Sequence, residues 1–234
     1  MRVVAILQAR MNSSRLPGKV MRPLLGQPMV QHIIERVRRS EHIHDTVLAF
    51  PVSDLPAFGE LNGACWFYPY HGDENDVVGR YLGAADAFTA DLVVRIPCDN
   101  PCVDPAVIDE AITTYLSLPK IYVSTMYRPV RDRIYIDGVG GEVFSLSRLK
   151  WLDQYTQGMP QYREHPHLLF QDQHLIDGWE QYQRHANADE TIRLDVNTMD
   201  DYLFIKSIYE HFQRNDFTAA EIVSYLDSQK VSAS

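Results

Sequence analysis

Ala5-Ile-Leu-Gln-Ala-Arg-Met-Asn-Ser-Ser-Arg-Leu-Pro-Gly-Lys19 is the stretch from which the fold class follows. The apolar run Val3 to Leu7 reads as a buried strand. A polar loop comes directly after it, carrying Arg10, Asn12, Ser13, Ser14, Arg15 and Lys19, with Pro17-Gly18 to turn it. A helix is predicted to begin near Gln27-Pro28, because Val30, Ile33, Ile34 and Val37 recur at helical spacing. Strand, cationic small-residue loop and helix together form the cradle that α/β proteins build for a polyphosphate. Small residues let backbone N–H groups approach phosphate oxygens, and fixed cations neutralise them. The pattern speaks for anion binding and leaves the reaction open.

The distribution of charge points the same way. The chain is acidic, with 22 Lys+Arg, 31 Asp+Glu and a net charge of −9. Residues 1–40 nevertheless hold eight basic residues and a single acid, Glu35, so they carry +7 against −16 for the rest. A negative field opposes nucleic-acid backbones, and nucleic acid is therefore not an expected partner. One concentrated cationic segment suits a small anionic ligand. Most of Arg36, Arg38 and Arg39 read as a solvated helix face, whereas Arg10, Arg15 and Lys19 crowd one loop.

A chain of 234 residues with 45% hydrophobic content can bury one substantial core, so a single domain over 1–234 is expected. No apolar stretch is long enough to span a membrane, and the N-terminus enters a strand without a signal-peptide pattern. Cys65, Cys98 and Cys102 are odd in number and scattered, which fits a reducing cytoplasm. The histidines, single or as His42/His44 and His165/His167, do not show zinc spacing.

Strands and helices alternate along the chain. Strands are predicted at Thr46–Phe50, Cys65–Tyr68, Leu92–Ile96 and Ile121–Ser124, and helices at Asp76–Phe88 and Asp104–Leu116. This alternation predicts a three-layer αβα fold with a mostly parallel sheet. From about 127 to 189 the pattern breaks into an excursion from the core, with a hairpin-like Gly138-Val-Gly-Gly141, a strand at Val143–Phe144 and a helix near Leu146–Gln154. The sheet is expected to resume at Thr191–Val196. Thr198 with Asp201, and Thr218 with Glu221, have the capping-box pattern of helix starts.

Two places offer oxygen ligands for a cation. Asp99 lies just past the end of the Leu92–Ile96 strand, at the sheet edge where open α/β proteins bind ligands. A triphosphate brings a need for Mg²⁺, which takes one or two carboxylates plus phosphate oxygens. Asp99-Asn-Pro also reads as a turn with an Asx hydrogen bond, and both readings stand. Asp195 and Asn197, two apart in a predicted strand, point to one face and either could complete a site with Asp99, unless Asn197 only ends the strand.

The loop Gln8-Ala-Arg-Met-Asn-Ser-Ser-Arg-Leu-Pro-Gly-Lys19 resembles the signature of the sugar-acid cytidylyltransferases, nearest to the spore-coat-polysaccharide branch, with 3-deoxy-manno-octulosonate and acylneuraminate cytidylyltransferases as wider relatives. Gly72-Asp-Glu-Asn-Asp76-Val-Val-Gly-Arg80-Tyr81, Arg95-Ile-Pro-Cys-Asp99-Asn-Pro101, Asp137-Gly-Val-Gly-Gly-Glu142-Val-Phe144, Arg163-Glu-His165 and Val196-Asn-Thr-Met-Asp-Asp201 resemble later motifs in the expected order. The resemblance implies a Rossmann-like nucleotidyltransferase fold and the reaction of CTP with an acceptor to give CMP-acceptor and pyrophosphate. It implies that Arg10, Ser13, Ser14, Arg15 and Lys19 hold the triphosphate, and that Leu7, Gln8 and Ala9, helped by Asp76 and Arg80, lie near cytosine and ribose. Asn12 and Arg95 are assigned to the same nucleotide site. Arg15, Lys19 and Asp99 take the catalytic roles. Mg²⁺ falls to Asp99 with Asp195 and Asn197, and Arg133, Glu142, Arg163 and His165 fall to the acceptor.

The acceptor implied is a sugar acid or a similar anionic molecule such as a phosphonate, the pathway surface-polysaccharide or related biosynthesis, and the assembly a homodimer. Tyr127, Arg128, Arg131, Arg133, Tyr135, Arg163 and His165 suit either acceptor recognition or a dimer interface, and both readings stand. Two departures from the family pattern stand out. Asn197 occupies a position commonly held by a metal-ligating Asp, and Gly140 another commonly acidic position. On sequence grounds Asn197→Asp is expected to leave activity equal or raise it. A glycosyltransferase of related fold and a non-catalytic nucleotide-binding descendant are the alternative readings.

Overall fold

In β1 (Val3–Gln8), Val3, Ala5 and Leu7 face one core and Val4 and Ile6 the other, so the strand is buried on both sides. Burying side chains such as Ile6 and Leu7 stabilises the fold by roughly 1.5–3 kcal/mol each. The computed structural model describes residues 1–61, 63, 65–117, 122–131, 134–171 and 190–232. After the loop come a small hairpin, β2 (Pro23–Leu24) and β3 (Gln27–Pro28), then α1 (Met29–Val37), β4 (Asp45–Pro51), α2 (Leu55–Phe58) and β5 (Trp66–Tyr70). The chain continues through α3 (Val77–Ala87), β6 (Leu92–Pro97), α4 (Pro105–Ser117) and β7 (Val123–Ser124). Next are β8 (Tyr127–Arg131), β9 (Ile134–Asp137), β10 (Glu142–Ser145), α5 (Leu146–Tyr155), α6 (Pro160–Glu164) and α7 (Pro166–Gln171). The last elements are β11 (Glu190–Arg193), α8 (Met199–Phe212) and α9 (Ala219–Ser232).

The main sheet has the order β5-β4-β1-β6-β10-β7. Pairings β5–β4, β4–β1 and β1–β6 are parallel, and β10 runs antiparallel to both β6 and β7. One face packs on Val30, Ile33, Ile34, Val107, Ile108, Ile205 and Ile208 from α1, α4 and α8. The other packs on Val77, Val78, Tyr81, Ala84, Leu149 and Leu152 from α3 and α5. This is the expected three-layer α/β architecture. From β1 the strand order runs outward in both directions, to β4 on one side and β6 on the other. The crevice at their carboxyl ends is where such sheets bind ligands.

Three expectations are corrected. The strand expected to resume the main sheet ends at Arg193 and pairs in parallel with β9, in a separate sheet of order β11-β9-β8. The excursion is also interrupted, since β10 returns to the main sheet and α5 to its core. Arg36 is not part of a solvated face. It is 1% exposed and donates to the carbonyls of Val103 (2.6 Å), Asn215 (3.1 Å) and Phe217 (2.7 Å), with its guanidinium over the Phe217 ring. A buried Arg is tolerated only when its donors are satisfied, and these three carbonyls do that. The helix starts agree with the sequence: Thr198 and Asp201 form a reciprocal capping box, and Glu221 accepts from Thr218 N while Thr218 Oγ1 accepts from Glu221 N. Among the described residues no helix is long and apolar enough to cross a membrane.

Candidate active site

The loop after β1 is held in place from inside. Met11 O accepts from Ser13 N (3.0 Å) and Gly18 N (2.9 Å), Met11 N donates to Asp54 Oδ2 (2.9 Å), and Leu16 is buried. Gly18 sits at φ +68°, a left-handed conformation that glycine adopts without steric cost. The chain reverses there and delivers Lys19 to the sheet edge.

Lys19 joins three segments that are far apart in sequence. Its Nζ donates to Asp99 Oδ2 (2.8 Å) and to the Val196 carbonyl (2.7 Å), with Asn197 Oδ1 at 3.5 Å. Asp99 O accepts from Val196 N at 2.8 Å, which binds the turn after β6 to the segment after β11. Arg15 Nη2 donates to Asn197 Oδ1 at 2.7 Å. Arg15 and Lys19 from the first loop and Asp99 from the turn after β6 are thus brought together, Lys19 meeting Asp99 and both cations meeting Asn197. All line a cavity of about 550 Å³ with Gln8, Ala9, Arg10, Ser13, Ser14, Asp195 and Asn197.

Asn197 is oriented by charge on both sides. Its Oδ1 faces the cations, its Nδ2 donates to Asp195, and its backbone N donates to Asp201 Oδ2 (2.9 Å). Arg193 grips Asp195 from the other side at 3.1 and 2.8 Å. The strand that was to align Asp195 with Asn197 stops at Arg193, and this hydrogen bond aligns them instead. An amide can accept from a cation and donate to a carboxylate at once. An aspartate at 197 would set two carboxylates side by side.

Other predicted nucleotide residues do not line the cavity. Leu7 is buried in β1 and Asn12 is exposed on the loop, and neither lines the cavity. Arg80 is fully buried and donates to the carbonyls of Ala9 and Glu74, below the cavity floor. Burial holds its guanidinium below the ordinary range. Asp76 caps α3 by accepting from Gly79 N at 2.9 Å. Burial alone would raise its carboxyl, but hydrogen bonds from Arg163 and Gly79 outweigh that and hold it below its usual value.

The predicted acceptor residues separate into three groups. Arg163 does not line the cavity. It donates to both Asp76 oxygens at 2.9 Å and to Asp153 Oδ1 at 2.9 Å, fixing α6 to α3 and α5. Glu142 is 1% exposed and pairs with Arg95, its register partner across β6–β10, and with the Tyr122 hydroxyl. Arg95 therefore sits on the cavity floor in a matched buried pair, where Glu142 outweighs burial and raises its pKa. His165 lines the cavity, and Arg133 lies outside the described residues. Gly140 packs where a Cβ would collide with the Thr125 backbone carbonyl, so an acidic residue does not fit this conformation.

The cavity also takes in residues not singled out from sequence, among them Glu164, His167, Asp137, Met126 and Arg193. Glu164 sits between two predicted residues, Arg163 and His165, and that position is the one sequence signal it carried. Cys98 also lines the cavity, and burial pushes its thiol well above the usual range, away from nucleophilic use. Among the described residues no group of three or more His, Cys, Asp or Glu gathers as a metal site.

Comparison with known proteins gives the family and the fold. The family model described as Cytidylyltransferase matches residues 4–222. The chain is 30% identical over 239 residues to spore coat polysaccharide biosynthesis protein SpsF of Bacillus subtilis, covering 96% of this chain and 94% of that protein. It is 30% identical over 134 residues to a 3-deoxy-manno-octulosonate cytidylyltransferase of Trichlorobacter lovleyi, covering 56% of this chain and 52% of that one. A cytidylyltransferase structure from Leptospira borgpetersenii superposes with a TM-score of 0.83 at 24% identity, over 99% of this chain and 96% of that one. A CMP:2-keto-3-deoxy-manno-octonic acid synthetase complexed with CTP superposes with a TM-score of 0.63 at 16% identity, over 90% and 99%, and both likenesses show the fold. On the match to residues 4–222, the chain belongs to the cytidylyltransferase family and is a nucleotidyltransferase enzyme.

Proposed function

We propose that this enzyme transfers CMP from CTP to a hydroxyl of an anionic sugar-type acceptor, such as a sugar acid, and releases pyrophosphate. The observation that carries this reading is the convergence of Arg10, Arg15 and Lys19 from one loop with Asp99 and Asn197 on one cavity. The names of SpsF and of the 3-deoxy-manno-octulosonate cytidylyltransferase favour an acceptor used in polysaccharide or sugar-acid activation. The matched cations also argue against the glycosyltransferase reading, which has no pyrophosphate to stabilise.

The donors fit Mg²⁺: Asp99, Asp195 and the Asn197 amide oxygen are hard oxygen ligands on one wall, to which phosphate oxygens would add. When bound, Mg²⁺ supplies neutralisation of phosphate charge, and Asp99 with Asp195 or Asn197 would hold it. The protein's own groups do the remainder. The acceptor hydroxyl oxygen attacks the α-phosphorus in line and gives up its proton to water, the bond from the α-phosphorus to the bridging oxygen breaks, and the electron pair leaves on pyrophosphate. Lys19 and Arg15 stabilise the negative charge that grows on the leaving oxygens. Gln8 and Ala9 at the end of β1 form the wall against which the nucleoside is positioned.

A thermal-shift panel over CTP, UTP, ATP and GTP tests the nucleotide. A ligand at 100 times its Kd adds about 2.7 kcal/mol of stability, and CTP is expected to give the largest shift. With CTP, Mg²⁺ and inorganic pyrophosphatase, phosphate release across a panel of acidic sugars identifies the acceptor. No shift with any nucleotide would overturn the reading.

A further inference from the structure

Arg10 is the loop cation whose charge is answered from outside the phosphate-binding core. Its Nη1 donates to Asn75 Oδ1 at 2.9 Å, in the turn before α3, and its Nη2 donates to Glu164 Oε1 at 3.2 Å, at the end of α6. Both members of the ion pair are partly exposed, at 29% and 33%, and both line the cavity. The backbone around Glu164 is well anchored, because the neighbouring Arg163 holds Asp76, Asp153 and Thr156. A carboxylate is therefore presented to Arg10 by a braced segment. A phosphate group reaching Arg10 meets a guanidinium whose second donor arm already serves a carboxylate of the same charge sign.

We propose that Glu164 is a positioning residue that tempers phosphate-tail affinity: it competes with the phosphate tail for Arg10, so that a phosphate binding at that point must first displace it. The proposal rests on the nucleotide reading above. Asn75 is neutral and keeps the guanidinium aimed at the cavity while Glu164 yields. Ligands that do not reach Arg10 are untouched by the exchange, so Glu164 lowers the affinity for the phosphate tail and leaves that for an unphosphorylated nucleoside unchanged. The same pair ties the loop to the segment that carries His165 and His167, which also line the cavity.

The test is calorimetric titration of the full chain with CTP, inorganic pyrophosphate and cytidine, all with Mg²⁺. Glu164→Gln keeps shape and removes charge. It is expected to tighten CTP and pyrophosphate about two- to five-fold, the range of a partly exposed ion pair, and to leave cytidine unchanged. The gain is expected to shrink as KCl rises, because the pair is screened. In an Arg10→Ala background the same substitution is expected to do nothing, a result that a general structural role would not produce. Glu164→Asp, which keeps the charge on a shorter arm, is expected to fall between wild type and Glu164→Gln, and checks the reasoning if the glutamine variant folds poorly. Equal or weaker CTP binding by Glu164→Gln would overturn the proposal, as would an undiminished gain without Arg10. Failure of the wild-type chain to bind CTP at all would remove the nucleotide reading and the proposal with it.

Discussion

Asp99→Asn is the substitution whose effect should reverse sign with magnesium. In the cavity Asp99 is a carboxylate 2.8 Å from Lys19 Nζ, with its side chain 29% exposed. Without a divalent cation, that carboxylate opposes an incoming triphosphate and occupies a cation the phosphate needs. At about 5 Å, one charge against one phosphate charge costs ~0.8 kcal/mol at a water-like dielectric and ~3 kcal/mol at an effective dielectric of ~20. Partial exposure places Asp99 between these limits, so removing its charge should tighten CTP by ~1–2 kcal/mol, or ~5–30-fold, in EDTA. Asparagine still accepts from Lys19, and Lys19 keeps the Val196 carbonyl, so the loop stays in place. With Mg²⁺ present the sign inverts. The variant then lacks a metal carboxylate, CTP binds more weakly than to wild type, and turnover falls by ~10²-fold or more, equivalent to ~3 kcal/mol. Calorimetry in EDTA and in Mg²⁺, with pyrophosphate release as the rate assay, reads both arms. Weaker binding in EDTA, or turnover retained in Mg²⁺, would refute the assignment of Asp99.

Three further substitutions test the surroundings. Asn197→Asp, expected from sequence alone to leave activity equal or raise it, should lower the thermal midpoint by ~2–8 °C, from ~1–2 kcal/mol of lost hydrogen bonding and carboxylate repulsion against Asp195, while Asp195→Asn in the same chain restores it; a single variant as stable as wild type would sink this. Arg163→Ala frees Asp76, whose carboxyl the native fold holds below the usual carboxylate range. A depressed pKa contributes stability above the unfolded value and loses it as pH falls through the folded one, so the ~1 kcal/mol deficit should be full at neutral pH and fade below about pH 4; midpoints that differ equally at every pH would count against the Arg163–Asp76 clamp. Arg36→Met strands three carbonyls and should cost ~3 kcal/mol of stability, ~6–12 °C in midpoint, with CTP affinity of the folded enzyme unchanged by titration.

What could be read from sequence were the features set by neighbours in the chain. The β1 strand, the cationic loop and the two capping boxes are short-range patterns, and each stands at its expected place. The placement of Asp99 was legible because a strand end needs only its own residues to be found. Pairings across long separations were not. Arg163 meets Asp76 across 87 residues, and Arg36 reaches Phe217 across 181, so no local pattern distinguishes them from a ligand-binding or a solvated arginine. The antiparallel register that sets Glu142 opposite Arg95 likewise depends on β10 entering the main sheet, which the break in alternation concealed.

Asn197 shows why the site had to be assembled before its oddest residue made sense. Alone, an asparagine in place of a metal-binding acid reads as a weakened site. With Arg15 on its oxygen and Asp195 on its amide nitrogen, it is the residue that lets a second carboxylate stand two positions earlier without repulsion. The negative charge beside Asn197 is carried by Asp195, which Arg193 also holds. Neutrality at 197 and charge at 195 depend on one another, and each should be altered only with the other if the cavity is to keep its hold on Lys19.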